Sequence, residues 1–263
     1  MLTIRQYVRA RSLEEAYTLC QKRGNVVLGG MAWLKMQTRS VVTAIDLCDL
    51  KLDTIEETET AFSIGAMTPL RALETHEGLN ALSRGAVAES LKGIVGVQFR
   101  NTATVGGSVY ARFGFSDVTT LLLALGARVE LYKGGVMSLE DFNALPRKQR
   151  DILVRVIVPK REMKIAYRSQ RNTKTDLPVL TCAVAGGEGE ALAVVGARPA
   201  IAQVFRDETG ILKNGVTEES AAAFGAWVAE QTDFGSNSRA GGEYRRRVCA
   251  VLVRRCAMAW KEG

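Results

Sequence analysis

The sequence predicts an α+β protein built from three units. Three observations carry that prediction. Strand-like and helix-like segments alternate through the first third, hairpin-forming strands with intervening helices fill the middle, and two apolar strands precede two long helices at the end. The expected divisions are a small N-terminal β-α-β unit over 1–55, a mainly antiparallel sheet with helices over 56–160, and a sheet-plus-helices domain over 161–263. A chain of 263 residues is long enough to bury a substantial core.

Each element follows from local chemistry. Residues 2–8 read as a strand. Ser12-Leu13-Glu14-Glu15 has the form of a capping box and opens a helix that should stop at Gly24. A strand over 25–28, a turn at Gly29-Gly30, a short helix over 31–37 and a strand over 41–47 complete a largely parallel unit. Residues 54–58 and 61–64 read as a hairpin, followed by helices over 69–76 and 79–91. Asp117 leads into a helix over 118–125, with its side chain as a candidate N-cap. Strands are expected over 128–132, 135–138 and 152–158, with a cap signal at Ser138-Leu139-Glu140-Asp141, and Pro159 ends the middle unit. A strand over 165–168 and a polar loop over 169–176 come next. Two apolar strands, 179–185 and 191–197, are joined by Gly186-Gly187-Glu188-Gly189. No helix follows that glycine run, so it reads as a hairpin turn and not as a dinucleotide fingerprint. Helices over 218–231 and 243–261 close the chain.

Composition narrows the function classes. Hydrophobic residues at 47% and charged residues at 24% are ordinary for a globular protein. No apolar run is long enough to span a bilayer, and the N-terminus lacks the apolar centre of a signal peptide, so a cytoplasmic protein is expected. Cys20, Cys48, Cys182, Cys249 and Cys256 are dispersed without a CxxC pair. That spacing argues against a zinc ribbon or an iron–sulfur cluster on this chain and reads as reduced core thiols. The single histidine, His76, reads as a solvated helix-end residue, which leaves no histidine triad or histidine metal cluster. A net charge of +7 raises the question of nucleic acid, but no recognition signature accompanies it and aromatics are only 6%. Arg245-Arg246-Arg247 and Arg254-Arg255 therefore read as a solvated helix face or a docking surface for an acidic partner.

The most informative pattern is two glycine pairs far apart in the chain. One is Val26-Val27-Leu28-Gly29-Gly30. The other is Arg100-Asn101-Thr102-Ala103-Thr104-Val105-Gly106-Gly107-Ser108, with Ser116-Asp117 close behind. Glycines of this kind can take positive φ and turn backbone N–H groups toward an anion, and two such turns brought together would cradle a diphosphate. A single glycine pair is more often only a tight turn; the second run carries more weight than the first because of its length and the Asp117 that follows it. No acid–base pair or nucleophile constellation stands out: Tyr110, Cys182 and His76 have no evident partners. That suits a protein whose cofactor carries the chemistry.

The second run, with Ser116-Asp117 and Leu122-Leu123-Ala124-Leu125-Gly126-Ala127, resembles the signature of the FAD-binding medium subunits of molybdenum hydroxylases, the xanthine dehydrogenase and carbon monoxide dehydrogenase flavoprotein type. Val27-Leu28-Gly29-Gly30 resembles the first FAD loop of that family, Asp151-Ile152-Leu153 the strand that ends its flavin domain, and Glu243-Tyr244-Arg245-Arg246 with Val251-Leu252-Val253-Arg254-Arg255 its C-terminal ending. The resemblance implies one noncovalent FAD held by 1–55 and 56–160. Val26, Val27, Leu28, Gly29, Gly30, Met31, Ala32 and Trp33 would wrap the adenosine diphosphate. Thr104, Val105, Gly106, Gly107 and Ser108 would cradle the diphosphate, Asp117 would accept from cofactor hydroxyls, and Ile94, Leu153 and Arg168 would touch the cofactor. Ile94 and Leu153 are equally good core residues, and Arg168 could equally be a surface arginine. Met31-Ala32, Ser108 and the bulky Arg112-Phe113-Gly114-Phe115 depart from the family pattern and bear on how well FAD is held. The resemblance further implies an electron-transfer subunit, with molybdopterin on a large partner, 2Fe-2S clusters on a small partner, and NAD+ or another acceptor. The alternatives are an FAD-less scaffold in such a complex and a free-standing flavin oxidoreductase.

Overall fold

The computed structural model describes residues 1–187 and 190–260. In chain order the first elements are β1 (Thr3–Arg9), α1 (Leu13–Gln21), β2 (Val26–Val27), β3 (Ser40–Asp46), β4 (Ile55–Glu57) and β5 (Ala61–Gly65). Helices then dominate: α2 (Leu70–Thr75), α3 (Glu77–Leu82), α4 (Ala86–Lys92), α5 (Val97–Thr102), α6 (Val105–Tyr110) and α7 (Asp117–Ala124). After β6 (Arg128–Leu131), β7 (Gly135–Ser138) and α8 (Leu139–Ala144) come β8 (Leu153–Pro159), β9 (Lys164–Gln170), β10 (Leu180–Gly187), β11 (Glu190–Gly196) and β12 (Gln203–Arg206). The helices α9 (Glu218–Gln231) and α10 (Gly242–Met258) finish the described chain. These elements form two compact units, one from Met1–Leu73, Val97–Ala111 and Ala127–Pro159, the other from Glu74–Gly96, Arg112–Gly126 and Lys160–Gly263.

In the first unit, β1, β3 and β2 pair in parallel with β3 at the centre. The central position explains why Val41, Ala44 and Ile45 are fully buried while β1 is almost wholly exposed. Ser12 accepts the Glu15 N–H at 3.1 Å and starts α1, whose Ala16 and Cys20 pack on Ile45, Leu47 and Ile152. Burial of one such aliphatic side chain contributes roughly 1.5–3 kcal/mol. The same unit holds a five-stranded sheet in the order β4-β5-β8-β6-β7, with every pairing antiparallel. Its centre is β8, where Val154, Val156 and Val158 are buried in alternation with half-buried residues.

The second unit is built on an antiparallel sheet in the order β12-β11-β10-β9. β10 is buried along nearly its whole length because α10 and α7 both pack on it, and Cys182, Val184, Phe224, Val228, Cys249, Val253 and Cys256 form a core shared with α9 and α10. Thr217 caps α9 through the Ser220 N–H at 3.1 Å, with Ser220 answering to the Thr217 N–H at 2.9 Å.

Several local expectations change. The expected helix over 31–37 is a single 3-10 turn, Leu34–Met36, because Met31 sits at φ 56° and no side chain caps the turn. The helix expected over 79–91 is two, α3 and α4, broken where Arg84 and Gly85 take φ of 51° and 78°. Gly106 and Gly107 lie inside α6, not in a turn, and α5 and β12 had no clear signal in sequence. Ser116, not Asp117, caps α7, accepting the Thr119 N–H at 3.1 Å. Glu188 and Gly189 of the expected hairpin turn, and Lys261 at the end of the last helix, lie outside the described residues; the flanking Gly187 and Glu190 are paired antiparallel. The arginine triplet is not a solvated face. Arg245 is fully buried and donates to the carbonyl oxygens of Val179, Gly235 and Ala240 and to Asn237 Oδ1. Arg246 donates to the Ala229 carbonyl at 2.8 Å, and Arg247 pairs with Glu243 on the outside. His76 caps α3, its Nδ1 accepting the Leu79 N–H at 3.2 Å. Four cysteines are buried, and Cys48 is exposed. Among the described residues no helix is long and apolar enough to cross a membrane.

Candidate functional site: two glycine pairs in contact

The first unit brings the two glycine pairs together. Gly29 and Gly30 follow β2, held by the Leu28 N–H donating to the Ile45 carbonyl at 2.8 Å. A Cβ built on Gly29 would stand 2.9 Å from Thr104 Oγ1 and 3.2 Å from Gly107 Cα; one on Gly30 would overlap the Thr102 carbonyl oxygen and lie 2.8 Å from Ala103 Cα. Backbone therefore packs on backbone with no room for a side chain. None of Gly29, Gly30, Gly106 or Gly107 has positive φ. The expected left-handed turns are absent at these four positions, and glycine is required there for close approach.

The two loops differ in what they offer an anion. On the second, the amides of residues 105–108 are already engaged. The Val105 N–H donates to the Thr68 carbonyl at 2.9 Å and the Gly106 N–H to the Ala66 carbonyl at 2.7 Å. The Gly107 N–H donates to Thr104 Oγ1 at 3.0 Å, and the Ser108 N–H to the Thr104 carbonyl at 3.1 Å. Thr104 is thus an N-cap, and the Ser108 hydroxyl is spent on the Thr104 carbonyl at 3.0 Å. On the first loop the described residues provide no acceptor for the backbone N–H groups of Gly29, Gly30, Met31 or Ala32. Consecutive open amides beside a residue in the left-handed region form an anion-binding concavity. Val26 and Val27 are half-buried, Leu28 is buried, and Trp33 is exposed at the rim. Leu153 is a buried residue of β8 in this unit, 5% exposed.

Ile94, Asp117 and Arg168 belong to the second unit. Ile94 is half-buried just beyond α4, and Arg168 is exposed on β9 opposite Cys182. Asp117 is buried at the start of α7, where Oδ1 accepts both the Tyr167 hydroxyl and Arg171 Nη2, the latter at 2.8 Å. Burial pushes its carboxyl up to about 6, against the opposing pull of Arg171 and the Tyr167 hydrogen bond. The same burial, together with the Asp117 charge, holds the Tyr167 phenol well above its usual range. Neither Tyr167 nor Arg171 stood out in sequence; Arg171 lay hidden in a polar, basic stretch. Tyr110 does have a partner, because its hydroxyl accepts the Asp151 N–H at 2.9 Å. Cys182 is a core thiol raised by its Cys256 neighbour and by burial. Phe113 and Phe115 stack with centroids 5.0 Å apart, and Gly114 between them lies against the Ala200 carbonyl.

Contacting glycines and a run of open amides suit an anionic ligand such as a diphosphate. The chain belongs to the family described as FAD binding domain in molybdopterin dehydrogenase, which matches residues 3–161. The cofactor of that family is FAD. Among full-length relatives, the uncharacterized protein YgfM of Escherichia coli K12 is 28% identical, covering 95% of this chain and 94% of its own. The glyceraldehyde dehydrogenase medium chain of Sulfolobus acidocaldarius is 23% identical over 94% of this chain and 95% of its own. Among solved structures, reconstituted CO dehydrogenase from Oligotropha carboxidovorans shares the fold at a TM-score of 0.86 with 23% identity, over 97% of this chain and 96% of that one.

Proposed function

We propose that this chain is the FAD-carrying, electron-transfer subunit of a molybdenum hydroxylase-type oxidoreductase. The observation that carries the proposal is the row of open amides at Gly29, Gly30, Met31 and Ala32, set against Thr104 and Gly107 where a side chain would not fit. The residues fit the cofactor through the first loop. Its four N–H groups would donate to diphosphate oxygens, and the glycines let the phosphates approach the backbone. On the second loop, Thr104, Val105, Gly106, Gly107 and Ser108 would contribute shape, since the amides of residues 105–108 are bound internally. Val26, Val27, Leu28 and Trp33 would flank the nucleotide, and Ile94, Leu153 and Arg168 would meet it elsewhere. Asp117 would orient groups around the cofactor with Tyr167 and Arg171 already in place. Bound FAD supplies a redox centre able to take up and release electrons.

In this reading the flavin is held by 1–55 and 56–160, with 161–263 as a covering domain. Electrons arrive from 2Fe-2S clusters on a small partner subunit, after oxidation of substrate at molybdopterin on a large partner, and leave to NAD+ or another acceptor. The setting is cytoplasmic. Support comes from the family membership and from the medium-chain relative. The test is the visible spectrum of the purified chain, with cofactor released by heat and identified. About one FAD per chain, lost in Gly30→Ala, is the expected result. A chain that takes up no FAD from an excess would overturn the proposal and leave the scaffold alternative.

A further inference from the structure

The second unit contains an open cavity of about 780 Å3 whose walls all belong to that unit. It lies where β9 begins and β10 ends, and its size is that of small-molecule sites, about 300–1,000 Å3. Its lining is of two kinds. Leu82, Met163, Leu212, Val216 and the Trp260 indole give it an apolar wall. Four cations, Arg84, Arg161, Lys164 and Lys213, line it with two carboxylates, Glu162 and Glu190, so positive charge is in excess. Lys164 Nζ donates to the Trp260 carbonyl at 2.8 Å and ties β9 to the end of α10. Among the described residues, the side chains of Arg84, Arg161 and Lys213 have neither a hydrogen bond nor an ion pair, although Glu162 and Glu190 line the same space. Unpaired cations gathered at one cleft raise the local concentration of an anion. Arg84 comes from the turn between α3 and α4 at φ 51°, a region that non-glycine residues seldom enter and that recurs at ligand clamps. A Cβ on Gly186 would overlap Trp260 Cη2 and lie 2.7 Å from Cζ3, so the indole edge rests on bare backbone. Trp260 Nε1 is buried and has no acceptor among the described residues. A buried indole N–H ordinarily has one, and a bound anion is an acceptor of the kind it lacks.

We propose that this cavity is a ligand site for a small organic anion, with an aromatic or aliphatic body against Trp260 and Leu212 and a phosphate, sulfonate or carboxylate met by Arg84, Arg161 and Lys213. The site asks for both halves. Exposed cations contribute little each because water screens them, so the apolar contact supplies much of the affinity and the charges supply the selectivity. An inorganic anion would leave the apolar wall wet, and a neutral molecule would leave three cations unpaired. The site is independent of the FAD reading: it lies in the second unit, and both glycine pairs lie in the first.

The test is a fluorescence titration of the full chain at low ionic strength, where exposed cations act most strongly. Anilinonaphthalene sulfonate is the probe, and neutral phenylnaphthylamine, naphthyl phosphate, inorganic phosphate and a heptaglutamate peptide are the comparisons. One saturable sulfonate site per chain is expected, with phenylnaphthylamine and inorganic phosphate each weaker by about tenfold or more. Naphthyl phosphate should compete for that site. The variant Arg84→Gln/Arg161→Gln/Lys213→Gln should weaken sulfonate binding by about tenfold or more. Arg247→Gln/Arg254→Gln/Arg255→Gln removes the same charge from exposed positions of α10 and should stay within about twofold of wild type. If the cavity variant fails to fold, Arg161→Gln and Lys213→Gln decide, each expected to weaken binding about threefold. No saturable site, an unchanged affinity in the cavity variant, or equal losses in the two triple variants would overturn the proposal. Displacement of the probe by heptaglutamate but not by naphthyl phosphate would overturn it in favour of an acidic protein segment.

Discussion

Gly29-Gly30 and Gly106-Gly107 are the same dipeptide in the same unit, in contact with one another, and they do opposite things with their amides. The first pair sits in an irregular loop after β2, and the N–H groups of residues 29–32 have no internal acceptor among the described residues. The second pair opens α6, and every N–H from Val105 to Ser108 is bonded within the chain. The first loop leaves its amides open, and the second closes its own and brings backbone close to the first. The contrast teaches that a glycine pair marks a demand for space before it marks a demand for unusual φ, since none of the four residues has positive φ. It also leaves the open amides on the loop whose sequence motif was the weaker of the two.

The sharpest way to break this comparison is Gly30→Ala. The new Cβ would overlap the Thr102 carbonyl oxygen and lie 2.5 Å from its carbon, and backbone cannot step aside as a side-chain end can. We expect a loss of about 3 kcal/mol in urea unfolding, at the high end of overpacking costs, together with loss of FAD. Wild-type stability in this variant would mean that the two loops are not in contact. Gly106→Ala should cost less because two effects oppose. Alanine is favoured over glycine inside a helix by about 1 kcal/mol. Against that, its Cβ would stand 2.6 Å from the Ala66 carbonyl oxygen and 2.8 Å from the Ala66 Cβ, an overlap worth roughly 1–3 kcal/mol. A net loss of about 1 kcal/mol is expected; a gain would show that α6 can slide away from Ala66. Smaller again is Thr104→Ala, which removes the N-cap acceptor of the Gly107 N–H at 3.0 Å and should lower stability by about 1 kcal/mol.

Much of the architecture was legible because its signals are local. Ser12, Ser138 and Thr217 cap the helices that follow them, and the alternation in 152–158 marks a sheet strand. The family membership was legible too, through the run from Arg100 to Ser108. What was not legible depends on partners distant in the chain. Nothing in Arg245-Arg246-Arg247 distinguishes a solvated triplet from one whose first member is buried under Val179, Gly235 and Ala240. Gly106-Gly107 looks like a turn until Thr104 is seen to cap a helix through it. The Asp117–Arg171 pair spans 54 positions of sequence, and the burial of both side chains comes from tertiary packing that no local pattern records. The pair also has a pH signature. Because burial raises the Asp117 carboxyl to about 6 from its ordinary 3.8, the folded chain takes up this proton before the unfolded chain does as pH falls. The contribution to stability is therefore full below about pH 4 and lost as pH rises through about 6. In Asp117→Asn, the slope of unfolding free energy between those limits should flatten relative to wild type.

The finest discrimination between the two loops comes from Gly107→Ala. Gly107 is exposed within α6, and its Cβ would come 3.0 Å from Thr104 Oγ1 and 3.9 Å from Gly29 Cα. The helix gains about 1 kcal/mol from alanine, and the crowded hydroxyl is a side-chain atom that can shift by a few tenths of an ångström. Stability should therefore stay within about 0.5 kcal/mol of wild type. The added methyl nevertheless stands on the surface that faces Gly29, where phosphate oxygens would approach the open amides. FAD affinity should fall while the urea midpoint stays put. Equal FAD affinity in wild type and Gly107→Ala would place the diphosphate away from the glycine contact, and the open amides of residues 29–32 would then need another ligand.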